Sequence, residues 1–176
     1  TYPAIVRAVS LDGTKANYGY IGSASQANVP VTPMSSLVLA IAANRNPATI
    51  NAASQLTRAS IASAKESVNA IFANIFSTFN VPNGFDILSN SFAANHTGMD
   101  LILDSMSITF DDSGSPTLCT KILNVCKPFT LSSLDTSELT LSPSAVTQIN
   151  SVPLDQCSRM INGLTTASFS TYNANL

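Results

Sequence analysis

The single histidine of this chain lies at a spacing that could serve metal or acid–base chemistry. Asp100 and Asp104 follow His96 at successive intervals of four residues, which would place all three side chains on one side of a helix. A metal site needs three or four converging ligands, and the sequence places no further carboxylate nearby. The alternative is a helix that starts at Thr97, with Asp100 completing a capping box and Asp104 solvated. We adopt this alternative and predict no metal ligand.

The sequence patterns of common hydrolases and phosphate-binding enzymes are missing. There is no Gly-x-Ser-x-Gly elbow, and a Ser-His-Asp triad would have to use His96. Asp111 and Asp112 could form a carboxylate pair for glycoside cleavage, but their place in a turn explains them more simply. The seven glycines never cluster into a phosphate-cradling loop. We therefore predict that the chain is not an enzyme and has no catalytic residue and no cofactor.

One tripeptide matches a modification motif. Asn95-His96-Thr97 fits the acceptor pattern for N-linked glycosylation, in which only proline is excluded from the middle position. In a chain this rich in Ser, Thr and Asn, one match is close to what chance would give. No modification is predicted from the pattern.

The cysteine spacing indicates a disulfide rather than a zinc site. Cys-x6-Cys, formed by Cys119 and Cys126, is not a zinc spacing, and one histidine cannot complete a Cys2His2 site. We predict that these two cysteines form a disulfide that closes a hairpin or small loop, which requires an oxidising compartment. The alternative is three reduced cysteines that act as small apolar residues. Because the count is odd, one thiol stays free or pairs with another chain, and Cys157 is the favoured one.

The strongest helical pattern in the chain is the stretch from Ser54 to Phe79. From Ile61 onward its larger apolar residues recur at intervals of three and four, which places them on one stripe of a helix. Phe72, Phe76 and Phe79 end this stripe and are predicted to be the deepest part of the core. The following residues, 80–84, contain Pro and Gly and end the helix.

Shorter elements flank this central helix. A nearly all-apolar helix is predicted to be capped by Thr32, to begin at Pro33 and to end near Ala43. The remaining predicted elements are a helix that begins at Thr97 and includes Met106, strands within Ser107–Phe110, Thr117–Val125 and Pro128–Leu134, and helical spacing from Ser144 onward.

Residues 1–21 have the pattern of a β-hairpin, with an Asp-Gly turn between two strands. Apolar residues occupy both faces of the first strand, so the hairpin should be covered on both faces or paired along its edge. Two strands alone are marginally stable. We therefore expect an excised piece in which residues 1–27 complete a β module with another chain or an upstream domain. Residues 28–176 would form a separate helical and small-sheet domain.

Two segments carry a resemblance to a known group of proteins. They are Asn28-Val29-Pro30-Val31-Thr32-Pro33-Met34-Ser35-Ser36-Leu37 and Phe92-Ala93-Ala94-Asn95-His96-Thr97-Gly98-Met99-Asp100. Their order resembles a region of large secreted or lipid-anchored cell-envelope proteins of proteobacteria. In those proteins an immunoglobulin- or transthyretin-like β module precedes such a helix start, an Ala-rich helical segment and a small β portion. The resemblance implies an extracytoplasmic location and implies no catalytic residue.

Composition excludes several classes of partner. Only 10% of the residues are charged and the net charge is -2. The chain therefore has no strong positive electrostatic field that would attract nucleic acid or an anionic membrane. The longest wholly apolar run, Leu37–Ala43, is far shorter than the roughly 20 residues that a transmembrane helix needs. We expect a secreted, periplasmic or cell-surface location, protein partners bound through the N-terminal strands, and self-association into a homo-oligomer.

The predicted fold class is α+β, an Ala-rich helical core around one long helix with a small antiparallel sheet, preceded by two strands of a β module. The predicted function is that of a non-catalytic structural or interaction domain of a bacterial cell-envelope or surface protein. The alternative is a protein that binds a small apolar ligand or lipid. The predicted apolar pocket for that ligand is lined by Phe72, Phe76, Phe79, Met99, Leu103 and Met106.

Overall fold

The computed structural model describes residues 2–52, 55–120 and 125–128. The chain divides into two compact units, one of Thr1–Ala8 with Asn17–Thr140 and one of Val9–Ala16 with Leu141–Leu176. The described residues contain three α-helices and two small antiparallel sheets. The predicted α+β class is therefore confirmed. Over the same ranges, no helix combines the length and apolar character that a membrane span requires.

Helix α1 covers Pro33–Ala43, as predicted. The hydroxyl of Thr32 accepts a hydrogen bond from the Ser35 N–H at 3.1 Å, and the Ser35 hydroxyl accepts one from the Thr32 N–H at 2.8 Å. This reciprocal pair is a capping box, and Pro33 occupies the first helical position, where its missing N–H costs nothing. Asn44 ends the helix in the left-handed conformation, with φ 50°. Most of α1 is buried, namely Met34, Ser35, Ser36, Leu37, Val38, Leu39 and Ala40.

Helix α2 covers Arg58–Thr78, so it begins later than the predicted Ser54. The reason is a second capping box, in which the Thr57 hydroxyl accepts from the Ser60 N–H and the Ser60 hydroxyl accepts from the Thr57 N–H. Leu56 and Ile61 are both buried and occupy the two positions of a hydrophobic staple around this cap. Leu56 thus contributes to the core without belonging to the helix.

One stripe of α2 is buried, and α2 packs against α1. Phe72 is fully buried and Phe79 is 7% exposed. Phe76, in contrast, is only half-buried, and its ring centroid lies 6.1 Å from that of Phe72. The buried residues step along the helix by threes and fours through positions 68, 72, 75 and 79, which leaves Phe76 at the flank of the stripe. The prediction that Phe76 lies among the deepest residues is wrong.

Helix α3 covers Gly98–Ser105 and leads directly into strand β3, Met106–Phe110. Met106 therefore begins a strand and does not end the helix. The alternation explains this, because Met106 and Ile108 are buried while Ser107 and Thr109 are more exposed. Helix α3 contacts both β3 and α2, and α1 also contacts β3.

Strands β4, Pro116–Thr120, and β5, Val125–Pro128, complete an antiparallel sheet in the order β3-β4-β5. Leu118 of β4 is fully buried. Positions 121–124 and 129–134 of the predicted strands, and the predicted helical segment from Ser144 onward, lie outside the described residues.

The N-terminal hairpin consists of the first two strands of the chain, which are named βA, Ala4–Val9, and βB, Ala16–Ile21, so that the numbered strands start with the third, β3. The turn between them is stabilised by Asp12, whose carboxylate accepts from the Ser10 hydroxyl at 2.6 Å and from the Thr14 N–H at 3.0 Å. These hydrogen bonds lower the pKa of Asp12 to about 2. The expected hairpin and its turn are both present.

Strand βB is fastened to α1 by two buried serines. The Ser36 hydroxyl accepts from the Tyr18 N–H at 2.8 Å, and the Ser35 hydroxyl donates to the Tyr18 carbonyl at 2.7 Å. Tyr18 is 7% exposed, Ser35 0% and Ser36 1%. The first turn of α1 therefore satisfies both backbone groups of a strand residue, which is the role that a neighbouring strand usually has.

Two glycines allow backbone segments to approach closely. A Cβ at Gly19 of βB would lie 2.8 Å from the Pro30 carbonyl oxygen. A Cβ at Gly114, in the turn between β3 and β4, would lie 2.3 Å from the carbonyl carbon of Arg45. Gly114 also has a φ of +88°, which favours glycine. The segment just before α1 is thus in close contact with the backbone of βB, and the segment just after α1 is in close contact with the turn between β3 and β4.

The segment after α2 is held by side chains from other elements. Lys65 of α2 forms an ion pair with Asp86, whose other oxygen accepts from the Leu88 N–H at 2.9 Å. Burial raises the pKa of Asp86, but the hydrogen bonds from Lys65 and Leu88 outweigh it, so the pKa lies below its ordinary value. The Gln26 amide donates to the Leu88 carbonyl at 2.9 Å, and its oxygen accepts from the Gly22 N–H.

We predict that Phe72→Ala lowers the free energy of unfolding by about 3–5 kcal/mol, because it removes a fully buried ring. Phe76→Ala should cost clearly less, because part of its ring already faces solvent. Urea denaturation of the two variants measures both values. Equal losses, or a larger loss for Phe76→Ala, would contradict the described orientation of α2.

We also predict a pH-dependent effect of Asp86→Asn. The folded-state pKa of Asp86 is depressed, so its ionised form contributes stability above the unfolded value of about 3.9. That contribution is lost as the pH falls through the folded-state pKa. Asp86→Asn should therefore reduce stability by roughly 0.2–1 kcal/mol near pH 7, the range for a partly exposed ion pair.

The difference between Asp86→Asn and wild type should shrink as the pH falls below about 4. The matched control is Glu66→Gln, which removes an exposed carboxylate from α2, the helix that contains Lys65. An Asp86→Asn effect that persists unchanged in acid would show that the ion pair does not cause it.

Candidate functional site

The three residues of the predicted helix stripe meet at the start of α3. His96 Nδ1 lies 2.6 Å from Asp104 Oδ2, and the His96 backbone N–H donates to Asp100 Oδ2 at 2.7 Å. All three residues are half-buried, and one ligand atom from each lies within 4.8 Å of the others. His96 itself has a φ of +55°, which is uncommon for a residue other than glycine.

The contacts of this cluster match a capped helix start, with three differences from the prediction. Asp100 accepts from the N–H of His96 and not from that of Thr97, so the expected capping box is displaced by one residue. The Thr97 side chain makes no cap hydrogen bond to the helix. Asp104 is not free in solvent but is paired with the His96 ring. The three groups could geometrically approach one cation, and the absence of a metal ligand stays a prediction.

The tripeptide Asn95-His96-Thr97 forms a turn at the edge of this cluster. The Asn95 side-chain oxygen accepts from the Thr97 N–H at 3.1 Å and from the Thr97 hydroxyl at 2.7 Å. Both Asn95 and Thr97 are exposed. The sequence pattern could not show this, because the turn depends on how His96 is held by α3.

Cys119 of β4 and Cys126 of β5 are directly opposite each other in the antiparallel register. Their sulfurs are at disulfide bonding distance. The predicted pairing therefore follows from the register of two neighbouring antiparallel strands. Cys157 lies outside the described residues.

The predicted turn at Asp111 and Asp112 is present. The Asp111 carboxylate accepts from the Ser113 hydroxyl at 2.7 Å and from the Ser115 N–H at 2.8 Å. These hydrogen bonds hold the pKa of Asp111 below its ordinary value. The carboxylate stabilises the turn between β3 and β4, which is the role that the sequence predicts for it.

The predicted apolar pocket residues belong to elements that contact one another, namely α2, α3 and β3. Phe72, Phe79, Met99 and Met106 are buried. Phe76 and Leu103 are half-buried. This pattern is that of a packed core whose edge reaches the surface, and ligand binding there stays a prediction.

The two edges of the N-terminal hairpin differ in how they are paired with other segments. On the inner side, βB is lined by residues 29–32, and Tyr18 forms an antiparallel bridge with Thr32. On the outer side, βA pairs with βB and with no other described strand. Arg7 and Ala8 of βA are exposed, and its first three residues are half-buried. Strand βA therefore presents an open backbone edge within the part of the chain that the structure describes.

Comparison with models of protein families, with curated proteins and with solved structures found no match.

Proposed function

We propose that this chain is a non-catalytic structural or interaction domain of an extracytoplasmic protein and that the edge of βA is its interaction surface. The single observation that carries the proposal is that βB is the only described strand paired with βA. An unpaired strand edge presents a row of N–H and C=O groups that can add a strand from another chain.

The composition of βA favours strand addition. Ala4, Ile5 and Val6 are apolar and half-buried, and Arg7 is the only charged residue of the strand. Natural edge strands are commonly protected by several charges, by proline or by bulges. One arginine gives less protection than such a set. An added strand would complete the backbone pairing and cover the apolar side chains that the hairpin leaves partly open.

The proposed occupant is βA of a second copy of the chain, in an antiparallel arrangement. Such a pair is symmetric, so each copy supplies the same surface to the other. The net charge of -2 over 176 residues gives little repulsion between copies. A proteobacterial cell-envelope protein, as the resemblance implies, could present this edge to a neighbouring β module in the same way.

Two further observations support the extracytoplasmic part of the proposal. Cys119 and Cys126 are paired across β4 and β5, and disulfides persist mainly in oxidising compartments. The surface is rich in uncharged polar residues, since only 10% of the chain is charged. A non-catalytic role is supported by the aspartates, several of which stabilise local structure. These are Asp12, Asp86, Asp100, Asp104 and Asp111.

Static light scattering over a range of concentrations tests this proposal. Wild-type protein should self-associate, and Ala8→Lys should weaken the association by about tenfold, because symmetric pairing brings the two new charges onto one small edge. Ala8 is exposed, so the lysine fits without disturbing the fold.

The matched control is Ser77→Lys, which adds the same charge at an exposed position of α2 and should associate like wild type. A wild-type chain that stays monomeric at every concentration would overturn the proposal. So would an Ala8→Lys variant that associates as strongly as wild type.

A further inference from the structure

Asn95-His96-Thr97 is the only Asn-x-Ser/Thr sequence in the chain, and the structure gives it features that the pattern alone lacks. We propose that Asn95 is an acceptor site for an N-linked glycan. This site is separate from the interaction surface proposed at βA. It requires the proposed extracytoplasmic location only for the modification to take place in the cell.

The first feature is the hydrogen bonding of the acceptor amide. An asparagine amide nitrogen is a weak nucleophile because its lone pair is delocalised into the carbonyl. Here Asn95 Oδ1 accepts two hydrogen bonds, from the Thr97 hydroxyl at 2.7 Å and from the Thr97 N–H at 3.1 Å. Both donors draw electron density toward the oxygen. This does not make the neutral nitrogen a better nucleophile, but it makes the protons on Nδ2 more acidic, so that a base on the transferase removes one more easily as the nitrogen attacks. The threonine of the motif is thus positioned to activate the amide.

The second feature is access to the reacting atom. Asn95 and Thr97 are exposed, and so are the two preceding residues, Ala93 and Ala94. Asn95 Nδ2 donates no hydrogen bond to any residue that the structure describes. The nitrogen that would form the glycosidic bond is therefore available, and the turn leaves room for a bulky group on the surface.

The third feature is that side chains of α3 hold the middle residue of the turn in place. His96 adopts a φ of +55°, and two aspartates of α3 hold it there. Asp100 accepts from its backbone N–H at 2.7 Å, and Asp104 contacts its ring at 2.6 Å. His96, Asp100 and Asp104 are thus positioning residues for the acceptor turn. This assignment gives the cluster a role that requires no metal ion.

The reaction requires a sugar donor activated as a phosphate ester. Asn95 Nδ2 attacks the anomeric carbon of that sugar, and a nitrogen–carbon bond forms. The bond between the anomeric carbon and the phosphate oxygen breaks, and the phosphate leaves with the electron pair of that bond. One proton passes from Nδ2 to a base on the transferase, so the step needs no oxidant or reductant.

The test uses the folded chain of 176 residues, a purified oligosaccharyltransferase that recognises Asn-x-Ser/Thr, and its lipid-linked sugar donor. Peptide mass spectrometry should find the glycan on Asn95 alone. Asn95→Gln and the isosteric Thr97→Val should lose the modification, while Thr97→Ser, which keeps the hydroxyl, should retain it.

Two comparisons separate the turn geometry from the motif itself. Asp104→Asn should be modified more slowly than wild type in the folded chain. Synthetic peptides of residues 90–107, with and without Asp104→Asn, should be modified at the same rate, because an isolated segment this short forms no stable α3 to hold His96. A folded chain that stays unmodified while the peptide is glycosylated would overturn the proposal, because the turn would then be inaccessible. Failure of both substrates would overturn it as well. Neither result bears on the light-scattering test, which does not involve Asn95.

Discussion

The fold depends on the hydrogen bonds that the backbone of one strand residue, Tyr18, forms with the first turn of α1. Its N–H and C=O are both buried and both bond to serine hydroxyls, at 2.8 Å to Ser36 and 2.7 Å from Ser35. A buried backbone group without a partner costs about 1–3 kcal/mol, so this junction strongly constrains where the hairpin can lie. Ser35 also forms the capping box with Thr32. The same side chain therefore starts the helix and fastens the strand, and βB needs no strand on its inner edge.

This junction explains why the two edges of the hairpin differ. The inner edge is closed by α1 and by residues 29–32, which come so close that only glycine fits at position 19. The outer edge, along βA, is paired with no described strand other than βB. The interaction surface proposed at βA would thus be a consequence of how the chain satisfies its own backbone on the other side. The turn proposed as a glycan acceptor at Asn95 has a similar basis, because α3 holds its middle residue from one side and leaves Asn95 exposed.

Much of the fold could be predicted from local patterns, because those patterns reflect local physics. The bounds of α1 follow from Thr32, Pro33 and the apolar run behind them. The predicted cysteine pair is at disulfide bonding distance. The start of α2 was misplaced because its capping box uses Ser60 where Glu or Gln is more usual. The roles of Ser35 and Ser36 could not be predicted, since their partner, Tyr18, is distant in sequence and the contact exists only in the folded chain. The turn at Asn95 could not be predicted from the sequence either, because its geometry depends on the contacts of His96 with Asp100 and Asp104.

The most direct test of the junction is amide hydrogen exchange at Tyr18 in the variant Ser36→Ala, with Ser63→Ala as the control on the exposed face of α2. Removal of the Ser36 hydroxyl leaves the Tyr18 N–H buried without an acceptor. We expect faster exchange at Tyr18 and a loss of about 1–3 kcal/mol in stability, while the protection of the Phe72 amide should fall only as far as the loss in global stability explains. Ser63→Ala should change neither. Unchanged Tyr18 protection in Ser36→Ala would show that the strand is held by something other than the serines of α1.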